Sequence, residues 1–234
     1  MIKYILWDID NTILDFKSAE TAAMNLGFDK YGITIKDPEA LGHYNMINDK
    51  LWKKLELGEL SRDEVLKGRF AEFFDLYKIK YDQDLITNFN IDFQKELGNQ
   101  IFFNPGAKDA LRSLSKDFKL VAVTNGTKLA QTGKLKNSGL DKVFDKVFIS
   151  EDVGVDKPYK EFFDKVFEEI GSKNPDEYII IGDSLTSDIK GGNNANIKTI
   201  WYNPDAKDNY LDVQVDFDIR HLSEVVDIIY DIDQ

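Results

Sequence analysis

The chain has 234 residues, 42% hydrophobic and 31% charged, which suits one large domain or a core with a smaller insert and excludes a disordered chain. It has no cysteine, so disulfides and thiolate metal sites are excluded, and a formal net charge of -12 argues against a nucleic-acid polymer as partner. Its apolar runs are too short to cross a bilayer and its first residues lack the pattern of a signal peptide, so a cytoplasmic protein without a membrane partner is expected.

Lys3 to Ile9 reads as a buried strand that runs into an acidic cluster. From Phe16 to Phe103 the pattern turns helical. Leu66, Phe70, Phe73, Phe74 and Tyr77 form one apolar stripe, and Leu51 with Leu55 suggests another. Asn104-Pro105-Gly106 then marks a return, with the proline placed to open the next helix. Four further short apolar runs follow: Leu120 to Val123, Val147 to Ile149, Tyr178 to Ile181 and Lys198 to Tyr202. Helical patterns separate them, clearest in the stripe from Tyr159 through Phe163 and Val166 to Ile170. Strands alternating with helices predict an α/β fold with a parallel sheet covered on both faces. The expected division is a core of residues 1–15 and 104–234 with a helical insert at 16–103. Gly191-Gly192 reads as a helix C-cap.

In open parallel sheets, ligands bind beyond the carboxyl ends of the strands. The notable polar residues stand there. Asp8 and Asp10 follow the first run, Thr124 the second, Lys157 the third and Asp183 the fourth, with Asp188 about a turn later. Four carboxylates and one lysine converging on one crevice would repel each other and raise each other's pKa values. A hard divalent cation such as Mg2+ and an oxyanion substrate relieve that repulsion. Lys157, the Thr124 hydroxyl and the backbone N–H groups of Asn125 and Gly126 then suit a phosphoryl cradle. Two carboxylates at i and i+2 suit a nucleophile paired with an acid and base. A calcium loop starting at Asp8 is excluded, because Ile13 stands where that loop needs glycine and Ala19 where it needs glutamate.

Asp8-Ile9-Asp10-Asn11-Thr12, Thr124, Lys157-Pro158 and Gly182-Asp183-Ser184 with Asp188 resemble, in order, the four motifs of the haloacid dehalogenase superfamily. The resemblance implies a Rossmann-like three-layer core with a helical cap inserted after the first motif. It implies that Asp8 is nucleophile and metal ligand, and that Asp10 is the general acid and base and binds metal through its backbone carbonyl. Asp183 is then the third protein ligand and Asp188 an inner or outer one. Dehalogenase members lack an acid at the position of Asp10, so phosphate chemistry is implied.

Asn48, Leu51-Trp52, Gly58, Gly68-Arg69-Phe70, Ile149-Ser150-Glu151 and Asp188-Ile189-Lys190-Gly191-Gly192 further resemble the YjjG/YfnB-type pyrimidine 5'-nucleotidases. That implies a nucleoside monophosphate as substrate. By their own chemistry, the aromatic face of Trp52 and the cation of Arg69 are candidate cap residues for specificity, the alternative being that they only hold the cap together. Tyr159 and Asn196 depart from the usual polar residue and glycine. A sugar-phosphate phosphatase, a phosphomutase of the same fold and a non-catalytic phospholigand-binding protein are the alternatives.

Overall fold

The computed structural model describes residues 1–232. Among them six strands form one parallel sheet in the order β3-β2-β1-β4-β5-β6: β1 (Tyr4–Trp7), β2 (Lys119–Thr124), β3 (Lys146–Ile149), β4 (Tyr178–Gly182), β5 (Lys198–Tyr202) and β6 (Phe217–Ile219). This is the Rossmann-like α/β arrangement expected from the alternation of apolar runs and helical stripes.

Parallel strands are buried on both faces because their crossover helices cover both. β1 shows how. Ile5 and Trp7 point into one apolar cluster, with Ala110 and Leu114 of α5 (Ala107–Leu114) and Val225 and Ile229 of α10 (Glu224–Ile232). Leu6 points the other way, into a cluster with Phe162, Phe163 and Val166 of α8 (Lys160–Ile170). The remaining helices on the sheet are α6 (Lys128–Ser138), the short α7 (Ser150–Val153) and α9 (Lys190–Ala195).

Between β1 and α5 lie α1 (Phe16–Tyr31), α2 (Ala40–Glu56), α3 (Arg62–Leu76) and α4 (Gln83–Asn99). Their ends follow from local chemistry. Asp15 caps α1 by accepting from Ser18 N at 3.0 Å, and Gly32 closes it in the left-handed region at φ 64°. Ser61 and Glu64 form a reciprocal capping box on α3, and Asp82 caps α4. Phe70, Phe73 and Phe74 of the stripe read from the sequence form the heart of a separate aromatic cluster, with Tyr77 packed against it and Leu66 outside it; Phe70 meets Phe89 edge-on at 4.9 Å and stacks on Tyr44 at 5.5 Å. At the core end of α4, a Cβ added to Gly98 would lie 3.0 Å from the Cα of Gly133 in α6, so the two helices touch backbone to backbone.

Three readings are corrected. β6 was not anticipated. Its three residues, Phe-Asp-Ile, give no apolar run, and β6 is defined by pairing with β5. Pro105 does not open α5; the helix starts at Ala107 behind Gly106 at φ 82°. Gly191 and Gly192 lie inside α9 and do not cap it. They are small because Phe163 and the side chains of Thr199 and Ile180 press on them, and Asn196 makes the left-handed C-cap at φ 56°. Among the described residues no helix is long and apolar enough to cross a membrane.

Candidate active site

β1 and β4 are neighbours although the chain leaves β1 towards β2, so the strand order reverses beside β1. Ligands bind at such a switch point, beyond the carboxyl ends. Asp8 follows β1 there and Asp183 follows β4, while a wide single turn at Leu185–Ile189 carries Asp188. Carboxylate oxygens of Asp8, Asp183 and Asp188 all lie within 4.8 Å of one another. Asp188 fits only because residue 182 is glycine, since a Cβ there would sit 2.2 Å from the Asp188 carboxyl carbon.

Lys157 is buried among these acids. Its ammonium donates to Asp8 Oδ1 at 2.8 Å, Asp188 Oδ1 at 2.7 Å and the Val123 carbonyl at 2.8 Å, which uses all three protons. The other Asp8 oxygen, Oδ2, has no hydrogen-bond partner among the described residues. Burial lowers the Lys157 pKa, but Asp188 and Asp8 outweigh it and hold the ammonium above its usual value. Burial pushes the Asp8 carboxyl up to about 7, against Lys157 and with Asp188. Burial, then Asp8 and Asp188, hold Asp183 well above the ordinary carboxylate range. Three acids facing one ammonium, all with oxygen donors, suit a hard divalent cation.

The cradle loop is tied to the lysine. The Asn125 side chain donates to the Lys157 carbonyl and accepts from the Lys157 N–H, both at 2.8 Å. Thr124 Oγ1 accepts from Gly126 N at 3.2 Å. Asn125 and Gly126 precede the Thr127 N-cap of α6, so their N–H groups lie just outside the helix.

Asp10 lines the same cavity, but both its oxygens are held from α6, by Lys134 and by Gln131 Nε2 at 2.6 Å. Gly126 makes room for this, because a Cβ there would overlap the Gln131 amide at 2.0 Å. Gln131 and Lys134 were not picked out from the sequence. Their signal is a spacing of three on one helix face just behind Thr124.

Trp52 and Arg69 also line the cavity, whose volume is about 650 Å³. Arg69 is only 2% exposed. Its guanidinium donates to Asn48 Oδ1 at 3.3 Å and Asn90 Oδ1 at 2.8 Å, while its Nε has no partner. Trp52 Nε1 donates to the same Asn48 oxygen at 3.1 Å, and Asn48 Nδ2 donates to the buried Glu20 at 3.0 Å. Burial pushes Glu20 up to about 8. Burial likewise pushes Glu56, at the end of α2, up to about 7, and its Oε2 has no partner.

Arg62, at the start of α3, joins the helical region to the sheet. It donates to the Asn125 and Gly126 carbonyls at 3.1 Å, to Ser150 Oγ at 2.7 Å and to Asp156. Neither Arg62 nor Glu20 stood out in the sequence, because charged residues on helices are ordinarily solvated.

Comparison with known proteins agrees with this arrangement. The family model of haloacid dehalogenase-like hydrolases matches residues 2–196. YfnB of Bacillus subtilis is 40% identical over 225 residues, covering 96% of this chain and 94% of that protein. The pyrimidine 5'-nucleotidase PynA of Streptococcus pneumoniae is 37% identical over 227 residues, again 96% and 94%. The crystal structure of YfnB bound to magnesium, described as revealing interdomain movement, superposes with a TM-score of 0.90 at 38% identity, covering 97% of this chain and 98% of that one.

Proposed function

The chain belongs to the haloacid dehalogenase-like hydrolase family, and on that premise we propose that it is a cytoplasmic, magnesium-dependent phosphomonoesterase that takes pyrimidine nucleoside 5'-monophosphates through an aspartyl phosphate on Asp8. Residues 1–15 and 104–234 serve as the catalytic core in this reading, and 16–103 as a cap. The observation that carries it is the convergence of Asp8, Lys157, Asp183 and Asp188 at the reversal of strand order.

Asp8, Asp183, Asp188 and the Asp10 carbonyl are the groups proposed to hold magnesium, which when bound polarises a phosphoryl oxygen and offsets repulsion of the attacking carboxylate. Lys157 fixes Asp8 Oδ1, which leaves Oδ2 to attack phosphorus. As that bond forms, the bond from phosphorus to the ester oxygen breaks, and Asp10 supplies the proton the leaving oxygen needs. Asp10 then takes a proton from water as the water attacks phosphorus. The bond to Asp8 breaks, inorganic phosphate leaves, and the Asp8 carboxylate is restored. Thr124, Lys157 and the N–H groups of Asn125 and Gly126 hold the phosphoryl oxygens. These groups read only the phosphate, so choice among esters falls to Trp52, Arg69 and their neighbours on the cap.

The relatives support the nucleotide: PynA is a pyrimidine 5'-nucleotidase by name. Phosphate release from a panel of nucleoside monophosphates, hexose phosphates and an aryl phosphate tests the proposal. We expect the highest kcat/KM on pyrimidine nucleotides, loss of all activity with EDTA and recovery with magnesium. Faster turnover of hexose phosphates contradicts the nucleotide, and full activity without metal contradicts the metal.

A further inference from the structure

On one face of α4, Asn90, Gln94, Leu97 and Gly98 follow one another at helical spacing. The ends of this row are accounted for. Asn90 accepts from Arg69, and Gly98 lies against Gly133 of the core. Gln94 is different. It is 6% exposed and lines the cavity, and its side chain has no hydrogen-bond partner among the described residues. Of the other amides lining the cavity, Asn48, Asn104, Asn125, Gln131 and Asn203 donate to protein groups, and Asn11, whose side chain also lacks a partner among the described residues, is only half-buried. Buried polar side chains are nearly always paired, so one that lines a cavity without a protein partner calls for an explanation, and a ligand in the cavity supplies one.

We propose that Gln94 is the specificity residue for the pyrimidine ring, pairing its carboxamide with the base edge; this inference rests on the nucleotidase reading above. A carboxamide offers one acceptor and two donors from a single planar group. Uracil presents a ring N–H beside a carbonyl, and cytosine a ring nitrogen beside an amino group. Each edge is a donor next to an acceptor, and a half-turn of the carboxamide matches either. Phe16, Trp52, Leu66 and Leu97 line the same cavity and supply apolar surface for the faces of a flat ring. A neutral amide among such walls suits an uncharged heterocycle better than a second phosphate, for which a cation serves.

The test compares uridine 5'-monophosphate with ribose 5-phosphate, which carries the same phosphoryl group and sugar without the base. The wild-type enzyme should favour the nucleotide. Gln94→Met, close in shape but unable to form the pair, should lose about tenfold in kcat/KM on the nucleotide and stay within about twofold on ribose 5-phosphate. Turnover of ribose 5-phosphate also reports that the variant is folded, and Gln94→Leu repeats the test if Gln94→Met does not fold. A parallel fall on both substrates, or an undiminished preference for the nucleotide, overturns the role of Gln94 and leaves the nucleotidase reading standing. A wild-type enzyme without preference for the nucleotide overturns that reading and this inference with it.

Discussion

At the ends of β1 and β4, the carboxylates of Asp8 and Asp188 share the single ammonium of Lys157, and the Asp183 carboxylate lies beside them without a cation of its own among the described residues. Across the same cavity, the Arg69 guanidinium sits among Asn48 and Asn90, stacked 4.9 Å from the ring centres of both Phe70 and Phe93, with Glu20 held through Asn48. The first cluster carries more negative charge than its own residues can offset, and burial raises its acids accordingly. The second holds one cation and one acid bridged by neutral amides, with burial raising that acid as well. An excess of negative charge marks the place where cation and phosphoryl group enter, while one cation balanced against one acid marks scaffold. Breaking the first should cost turnover, and breaking the second should change stability and substrate choice.

The largest effect belongs to the first cluster. Asp8→Asn keeps the shape but removes the nucleophile, and activity should fall by about a thousandfold or more with the thermal midpoint little changed. Retention of more than about a tenth of wild-type turnover removes Asp8 from the chemistry.

Lys134 sharpens the comparison because it stands between the clusters, pairing with Asp10 and lying 4.8 Å from the centre of the Phe16 ring. Lys134→Met should release Asp10 from its position. An alkyl phosphate, which needs its leaving oxygen protonated, should lose about tenfold in kcat, and an aryl phosphate no more than about threefold. Equal losses make Lys134 a packing residue only.

The strand ends and their acids were legible from the sequence, since short apolar runs that stop at Asp, Thr and Gly are local signals. The aromatic stripe of α3 was legible for the same reason. What holds the site was not. Gln131 binds Asp10 across a separation of 121 residues, and Arg62 reaches the Asn125 carbonyl across 63. No window of sequence contains such pairs. Gly126 and Gly182 are each small because a side chain five or six residues on, Gln131 or Asp188, occupies the place of its Cβ, a contact that only the folded chain shows.

The smallest effect tests the scaffold. Burial raises the Glu20 pKa from 4.5 to about 8 in the folded state. The native protein therefore binds more protons than the unfolded chain between those values, so stability present below about 4.5 is lost as pH rises towards 8. Glu20→Gln should stabilise the protein by on the order of 1–2 kcal/mol at pH 8 and flatten that part of the stability profile. Denaturant unfolding at several pH values reads this out, and an unchanged slope shows that Glu20 does not titrate there.

The central claim is that the charge-rich cluster forms a covalent phosphoryl enzyme at Asp8. Acid quenching during turnover of a phosphate-labelled nucleotide, followed by peptide mapping, measures this directly. The account predicts label on the Asp8 peptide that is stable to acid, released by hydroxylamine and absent in Asp8→Asn. Active turnover with no label on the protein, or label on any other residue, would contradict it.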